Sequence, residues 1–212
     1  MKITFDFAAL HYLDQWIEED SKWHKELNDS DQSIRLKALN TLARNYQVIR
    51  NLPRRYDIDA TPCKKRLSPI LDIIEKPDFQ NITIANRVEI IEKIVEEIKQ
   101  HYHKRVLSFV TKALWVKHKD PIIIYDSKAR ETLKKYDYPS GENNISKYIT
   151  SWERFYQHCQ TEINEACKSL YKARRYSKFA NELTDQQIKD ISSQLWFQHR
   201  VFDIFLFFEG EP

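Results

Sequence analysis

Apolar residues recur at steps of three and four along most of the chain, which is the spacing of amphipathic helices. Tyr148, Trp152 and Phe155, for example, fall on one face of a helix at this spacing. The periodicity predicts helices over seven ranges of the chain, which are 7–27, 32–49, 83–100, 102–117, 127–135, 145–171 and 186–208.

Residues suited to helix N-termini precede three of these segments. Asp31 and Asp126 each come directly before a helical pattern, and an Asp side chain at this position accepts a free backbone N–H group. Thr184, with Gln187 three residues later, has the spacing of a capping box. The last segment, 186–208, is apolar nearly all round from Trp196 onward, so we expect it to be the central, buried helix.

The predicted fold class is all-α. Only two glycines, Gly141 and Gly210, occur among the 212 residues. This excludes the glycine-rich phosphate loops of dinucleotide-binding and P-loop proteins and disfavours a sheet joined by many hairpins. The short apolar run 122–125 is interpreted as an extended link, because no strand is predicted elsewhere. We expect either a single multi-helix domain or two helical halves around a cleft.

Four prolines interrupt the pattern between the N-terminal helices and the rest of the chain. They lie within 51–82, at positions 53, 62, 69 and 77, and leave room for one short helix near 70–74. The predicted division is therefore an N-terminal helical hairpin at 1–50, a proline-rich connector at 51–82 and a helical main body at 83–212. We expect 1–50 and the main body to form one compact unit.

Composition predicts neither a cofactor nor a metal site. The three cysteines and seven histidines show no paired spacing of the kind that structural zinc requires. No secretory signal follows Met1, and no stretch approaches the ~20 apolar residues of a membrane span. A reduced, cytoplasmic protein that does not enter the membrane is the expectation.

Basic residues are concentrated in two runs, although the net charge is only +3. Residues 99–119 contain six Lys or Arg and no acid, and residues 168–178 contain five and no acid, whereas 1–31 are mainly acidic. Such asymmetry favours an anion-binding face, and solvated helix faces are the alternative. The candidate nucleic-acid-binding residues are Lys104, Arg105, Lys117, Lys128, Arg130, Arg174 and Arg175.

Two segments, 108–115 and 123–130, resemble the core of the helix-hairpin-helix DNA glycosylase superfamily, over about residues 83–136. In that superfamily a hairpin leads into a helix that carries a lysine, and an apolar run then ends in an aspartate before the next helix. The resemblance implies Lys112 and Asp126 as the catalytic residues, with Ser108 and Val110 at the positions of the hairpin glycines. Parts of the chain are also similar to uncharacterised bacterial helical proteins, which imply no activity.

The resemblance implies base excision on double-stranded DNA, in which Lys112 attacks the sugar and Asp126 stabilises the developing positive charge. Both residues also have structural interpretations, since Asp126 suits a helix N-cap and Lys112 suits an exposed helix face. Two other functions therefore stay open. One is DNA or RNA binding without chemistry, and the other is a protein-interaction or structural module without enzymatic activity.

Overall fold

The computed structural model describes residues 3–52 and 62–210, and these residues contain helices and no strand. The all-α prediction is therefore confirmed. The α-helices are α1 (Phe5–Gln15), α2 (Ser21–Leu27), α3 (Gln32–Asn45), α4 (Pro62–Ile74), α5 (Arg87–Tyr102), α6 (Leu107–His118), α7 (Ser127–Lys135), α8 (Ile145–Ser169), α9 (Asp185–Ser192) and α10 (Leu195–Glu209). A π-helical turn, Trp16–Asp20, joins α1 to α2, and short 3₁₀ segments occupy Ile49–Asn51, Pro77–Phe79, Leu170–Tyr176 and Ala180–Glu182.

The three predicted N-caps are confirmed. The side chains of Asp31 and Asp126 each accept the backbone N–H of the residue two positions later, at 2.7 and 2.9 Å. Thr184 and Gln187 form the reciprocal capping box that their spacing predicts. Each of these contacts satisfies a backbone donor that the helix itself leaves free.

Helix boundaries between 83 and 107 differ from the prediction. α5 begins at Arg87 rather than at Thr83, because the Asn86 side chain accepts the Thr83 backbone N–H at 2.7 Å and closes a turn there. α5 then continues to Tyr102, and His103 ends it in the left-handed conformation with φ of 53°. α6 therefore begins at Leu107 and not at Tyr102.

The predicted helix 186–208 is two helices. α9 ends at Ser192, and Gln194 has extended backbone with ψ of 137° before α10 begins at Leu195. The prediction that its C-terminal part is buried is correct, since every residue from Arg200 to Leu206 is buried.

Part of the predicted proline-rich connector is helical. α4 runs for 13 residues with Pro69 inside it, and so is longer than the short helix expected near 70–74. The middle of the connector, residues 53–61, lies outside the described residues, and with it the basic pair Arg54 and Arg55.

Contacts between Cα atoms divide the chain into two compact units. The terminal unit is formed by the two ends of the chain, up to Ser21 and from Tyr125 onward, and the inserted unit is Lys22–Ile124. The chain therefore divides after Ser21 and after Ile124, whereas the sequence predicts divisions after residues 50 and 82.

The terminal unit is built around α10. α1, α7 and α8 contact α10, and the rings of Phe5 and Phe205 lie 4.5 Å apart. Within this apolar core, the buried Asp203 accepts the Trp152 indole N–H at 2.7 Å and a guanidinium N–H of Arg200 at 3.0 Å. Burial raises the pKa of Asp203, and these two donors oppose that rise. The paired donors offset part of the cost of placing a carboxyl group in the core.

The inserted unit is held by contacts among the helices α3, α4, α5 and α6. α4 lies against α3 and α5, and α6 lies against α3 and α5. One side of α5, formed by Ile91, Ile94, Val95 and Ile98, is completely buried, as its periodicity predicts.

Candidate anion-binding site

Lys112, the predicted nucleophile, is buried on α6 in the inserted unit and is only 6% exposed. Its ammonium group donates to the Ser108 Oγ at 3.0 Å and lies 5.7 Å from the centre of the Tyr46 ring. Ser108 and Val110, the positions matched to the hairpin glycines, lie within α6. Lys112 therefore does not lie on an exposed helix face, and its amine is engaged inside the unit.

Asp126, the predicted catalytic carboxylate, belongs to the terminal unit. It is half-buried and caps α7 through the Lys128 backbone N–H. This contact is the structural role that the sequence allows for Asp126. The catalytic role of the pair stays a prediction.

Two basic residues of the run 99–119 pair with acids of α5. Arg105 pairs with Glu92 and Glu96 on α5, and Lys99 also pairs with Glu96. Lys104, in contrast, is exposed at the start of the connection to α6. Acids carried by α5 therefore neutralise part of the positive charge of this run within the inserted unit.

Lys117 lies inside the inserted unit rather than on its surface. Its buried ammonium group is 3.2 Å from the Leu27 carbonyl oxygen and 3.2 Å from the Glu75 carboxylate. The neighbouring His118 is partly buried, and burial together with the charges of Lys117 and His24 lowers the pKa of His118 to about 4. Lys117 thus supports the fold, and its placement does not favour contact with an external anion.

Three candidate residues of the terminal unit are also engaged in the fold. The Lys128 ammonium lies 4.2 Å from the centre of the Phe207 ring. Arg130 pairs with Glu131 at 2.9 Å. Arg174 donates to the Leu183 carbonyl oxygen at 2.6 Å and lies 3.4 Å from the Asp185 carboxylate. It therefore connects the 3₁₀ segment Leu170–Tyr176 to the start of α9.

Arg175 differs from Arg174 beside it. Its side chain is exposed and lies over the Tyr176 ring, 4.8 Å from the ring centre. Its charge is not paired with a carboxylate among the described residues. Arg175 is therefore able to contact a ligand.

A cleft of about 590 Å³ lies within the terminal unit, between the end of α8, the 3₁₀ segment Leu170–Tyr176, and α9. We call it the lysine cleft. It is lined by Asn164, Glu165, Cys167, Lys168, Ser169, Tyr171, Lys172, Lys189, Ser192, Ser193 and Gln198.

Three lysines give the lysine cleft its charge. Lys168, Lys172 and Lys189 are exposed, and none of them has a carboxylate within 4 Å in the part of the chain that the structure describes. Glu165 contributes the one carboxylate of the lining. Unpaired ammonium groups on a concave surface reinforce each other's attraction for anions.

An aromatic ring stands among these lysines. The Lys189 ammonium lies 4.1 Å from the centre of the Tyr171 ring, and that of Lys172 lies 5.8 Å from it. Serine hydroxyls and amide groups complete the polar lining. The arrangement is suited to binding an anion that also has hydrogen-bonding groups.

Cys167, also in the lining, is not an activated nucleophile. Its side chain is buried, and burial raises the pKa of its thiol to about 12. A thiol with this pKa is protonated at neutral pH, whereas a reactive cysteine is a thiolate. Cys167 is therefore not suited to act as a nucleophile in the cleft.

Sequence reasoning missed Lys189 and Tyr171 as site residues. The acid-free run 168–178 contains Lys168 and Lys172 of the cleft lining, but the residues predicted from it were Arg174 and Arg175, and Arg174 is engaged in the fold. Lys189 comes from a different helix, and no pattern in the sequence connects it to this run.

Comparisons with protein-family models, with curated proteins and with solved structures find no match to the chain. Within residues 3–52 and 62–210, no three His, Cys, Asp or Glu side chains form a group that could hold a metal ion. No helix in the same ranges has the length and apolar character needed to cross a membrane.

Proposed function

We propose that this chain binds nucleic acid through the lysine cleft, with backbone phosphates at Lys168, Lys172 and Lys189. One observation carries the proposal, which is that three unpaired ammonium groups line a single concave surface. Most other basic side chains considered as candidates are engaged in the fold.

The chemistry of the lining favours a phosphate over other anions. Lysine binds phosphate as a point charge, and releasing the counterions that surround a nucleic acid makes each such contact favourable at low salt. The hydroxyls of Ser169, Ser192 and Ser193 each donate to a backbone carbonyl oxygen of the preceding helical turn, so the lysines supply the contacts to phosphate. The exposed Arg175 adds a further unpaired charge on the same segment.

The single acid of the lining gives a way to raise the affinity. Glu165 places a negative charge where the proposal puts a phosphate. Glu165→Gln removes this repulsion and keeps the size of the side chain, so we expect it to strengthen binding.

The test is fluorescence anisotropy with a labelled oligonucleotide, over a range of salt concentrations. The double variant Lys168→Glu/Lys172→Glu is expected to bind at least about tenfold more weakly at low salt, with a salt slope reduced by about one for each lost phosphate contact. The matched control is Lys134→Glu/Lys147→Glu, which makes the same change of charge at two exposed lysines of the terminal unit outside the cleft.

The two variants separate a local site from a general effect of net charge. Equal losses of affinity in both variants would mean that the cleft has no special role. A native chain that binds no oligonucleotide at low salt would overturn the proposal and favour the protein-interaction alternative.

A further inference from the structure

We propose that the nucleic acid at the lysine cleft is an unpaired strand, and that one of its bases stacks on Tyr176. This inference rests on the proposed function and adds the form of the nucleic acid. Three features carry it, which are the exposure of Tyr176, the position of Arg175 and the size of the cleft.

Tyr176 presents an aromatic ring to solvent at the end of the segment that lines the cleft. It is 65% exposed, whereas most other aromatic side chains of the terminal unit are buried or half-buried. The Arg175 guanidinium lies over the ring, at 4.8 Å from its centre, and leaves the remaining ring surface exposed. An arginine held on a tyrosine ring orients that ring and adds a charge for a neighbouring phosphate.

The geometry of the 3₁₀ segment connects this pair to the cleft. With three residues per turn, Lys172 and Arg175 project from the same face of Leu170–Tyr176. At a rise of about 2 Å per residue, Tyr176 lies about 10 Å along the axis from Tyr171. A strand whose phosphates contact Lys168 and Lys172 therefore continues past Arg175, where a base meets the Tyr176 ring.

The size of the cleft and the exposed Tyr176 ring both favour an unpaired strand over a duplex. A volume of about 590 Å³ lies within the range of small-ligand pockets and receives part of a flexible strand more readily than a duplex. In a duplex both faces of each internal base are covered by its neighbours, so an aromatic side chain gains nothing there. In an unpaired strand every base offers a free face, and aromatic rings beside a basic groove are the usual means of binding it.

The test compares the binding of one oligonucleotide sequence as a single strand and as a duplex, by anisotropy at fixed low salt. We expect the native protein to bind the single strand several-fold more tightly. Tyr176→Leu should weaken single-strand binding about fivefold or more while leaving duplex affinity unchanged. Tyr176→Phe should retain the affinity, since it keeps the ring. Because the side chain is exposed, both variants should melt at the temperature of the native protein.

The outcomes distinguish this inference from the proposed function. Binding of neither strand nor duplex would overturn both. Equal binding of strand and duplex, unaffected by Tyr176→Leu, would overturn only the present inference. Competition by a nucleoside monophosphate at the same concentration as the oligonucleotide would show a small-molecule site, and would overturn both proposals.

Discussion

Lys189 and Tyr171 meet across the lysine cleft, with the ammonium nitrogen 4.1 Å from the centre of the ring, although one residue belongs to α9 and the other to the segment after α8. A tyrosine ring attracts a cation through its quadrupole and carries no net charge. The contact therefore positions the Lys189 side chain without neutralising it, whereas a carboxylate partner would cancel its charge. The lysine stays available to an anion.

Alanine substitution of Arg174 should affect stability, whereas alanine substitution of Arg175 should affect oligonucleotide binding. Arg174→Ala removes the bonds to the Leu183 carbonyl and to Asp185, so it should lower stability by about 1–2 kcal/mol. Arg175→Ala removes an exposed charge and should leave the melting temperature unchanged while weakening oligonucleotide binding. Thermal melts and anisotropy on both variants check this prediction. A stable Arg174→Ala variant, or a native affinity in Arg175→Ala, would contradict it.

Asp126 should tolerate asparagine as a helix cap. Asp126→Asn is expected to change stability by a few tenths of a kcal/mol and Asp126→Ala to lower it by about 1 kcal/mol, because Asn retains the acceptor of the cap. Denaturant unfolding of the two variants measures the difference.

The variant Asp126→Asn also tests whether Asp126 acts in base excision. If the chain releases a base from a damaged duplex, Asp126→Asn should lower the rate by orders of magnitude, because the amide lacks the charge that faces a sugar cation. Lys112→Gln should then abolish the adduct that borohydride traps. Release at the native rate in Asp126→Asn would exclude this carboxylate from catalysis.

His118 should make the protein less stable in mild acid. Its pKa is about 4 in the folded chain, against an ordinary value of 6.5 for histidine, so between these pH values the unfolded chain binds a proton that the folded chain does not. The free energy of unfolding therefore falls as the pH drops from about 6.5 to 4. Allowing for partial exposure, we expect a loss of about 1–2 kcal/mol.

Urea unfolding at several pH values measures this loss. His118→Gln should flatten the dependence, and His101→Gln, which changes an exposed histidine of the same unit, is the control. The pKa of His24 is also lowered by burial, so part of the slope should persist in His118→Gln. An unchanged slope in that variant would show that His118 does not contribute.

Phe205→Asp should abolish cooperative folding. Phe205 is 7% exposed and its ring lies 4.5 Å from that of Phe5, so the variant would lose an aromatic contact and bury a carboxylate. Phe205→Leu, which keeps an apolar side chain, should fold with a lower melting temperature. Circular dichroism during heating distinguishes the two, and a cooperative melt of Phe205→Asp would contradict the central position of α10.

Periodicity and capping residues predicted most helices, and they failed where the backbone changes without a visible signal. The apolar spacing passes through Ser193 and Gln194 without glycine or proline, so the break between α9 and α10 could not be predicted. His103 ends α5 in the left-handed conformation, which usually favours glycine. A histidine at this position does not by itself predict the end of a helix.

The distribution of basic residues along the sequence predicted only some of the residues that line the lysine cleft. The run 168–178 does contribute Lys168 and Lys172 to the lysine cleft. In the other acid-free run, 99–119, Arg105 pairs with Glu92 and Glu96 on the preceding helix. Pairing of this kind depends on how helices cross, and an acid-free window of sequence contains no information about it.

The division of the terminal unit between the two ends of the chain constrains how it is made. Its helix α1 contacts α10, and the Ile3 backbone N–H donates to the Glu209 carboxylate at 3.3 Å. During synthesis, α1 leaves the ribosome before the inserted unit, and the whole of that unit is made before α10 is available to cover α1. The inserted unit, whose residues are contiguous, needs no such delay. Any interruption of translation before α10 leaves the aromatic face of α1 uncovered, and such exposed surface is what chaperones and proteases recognise in nascent chains.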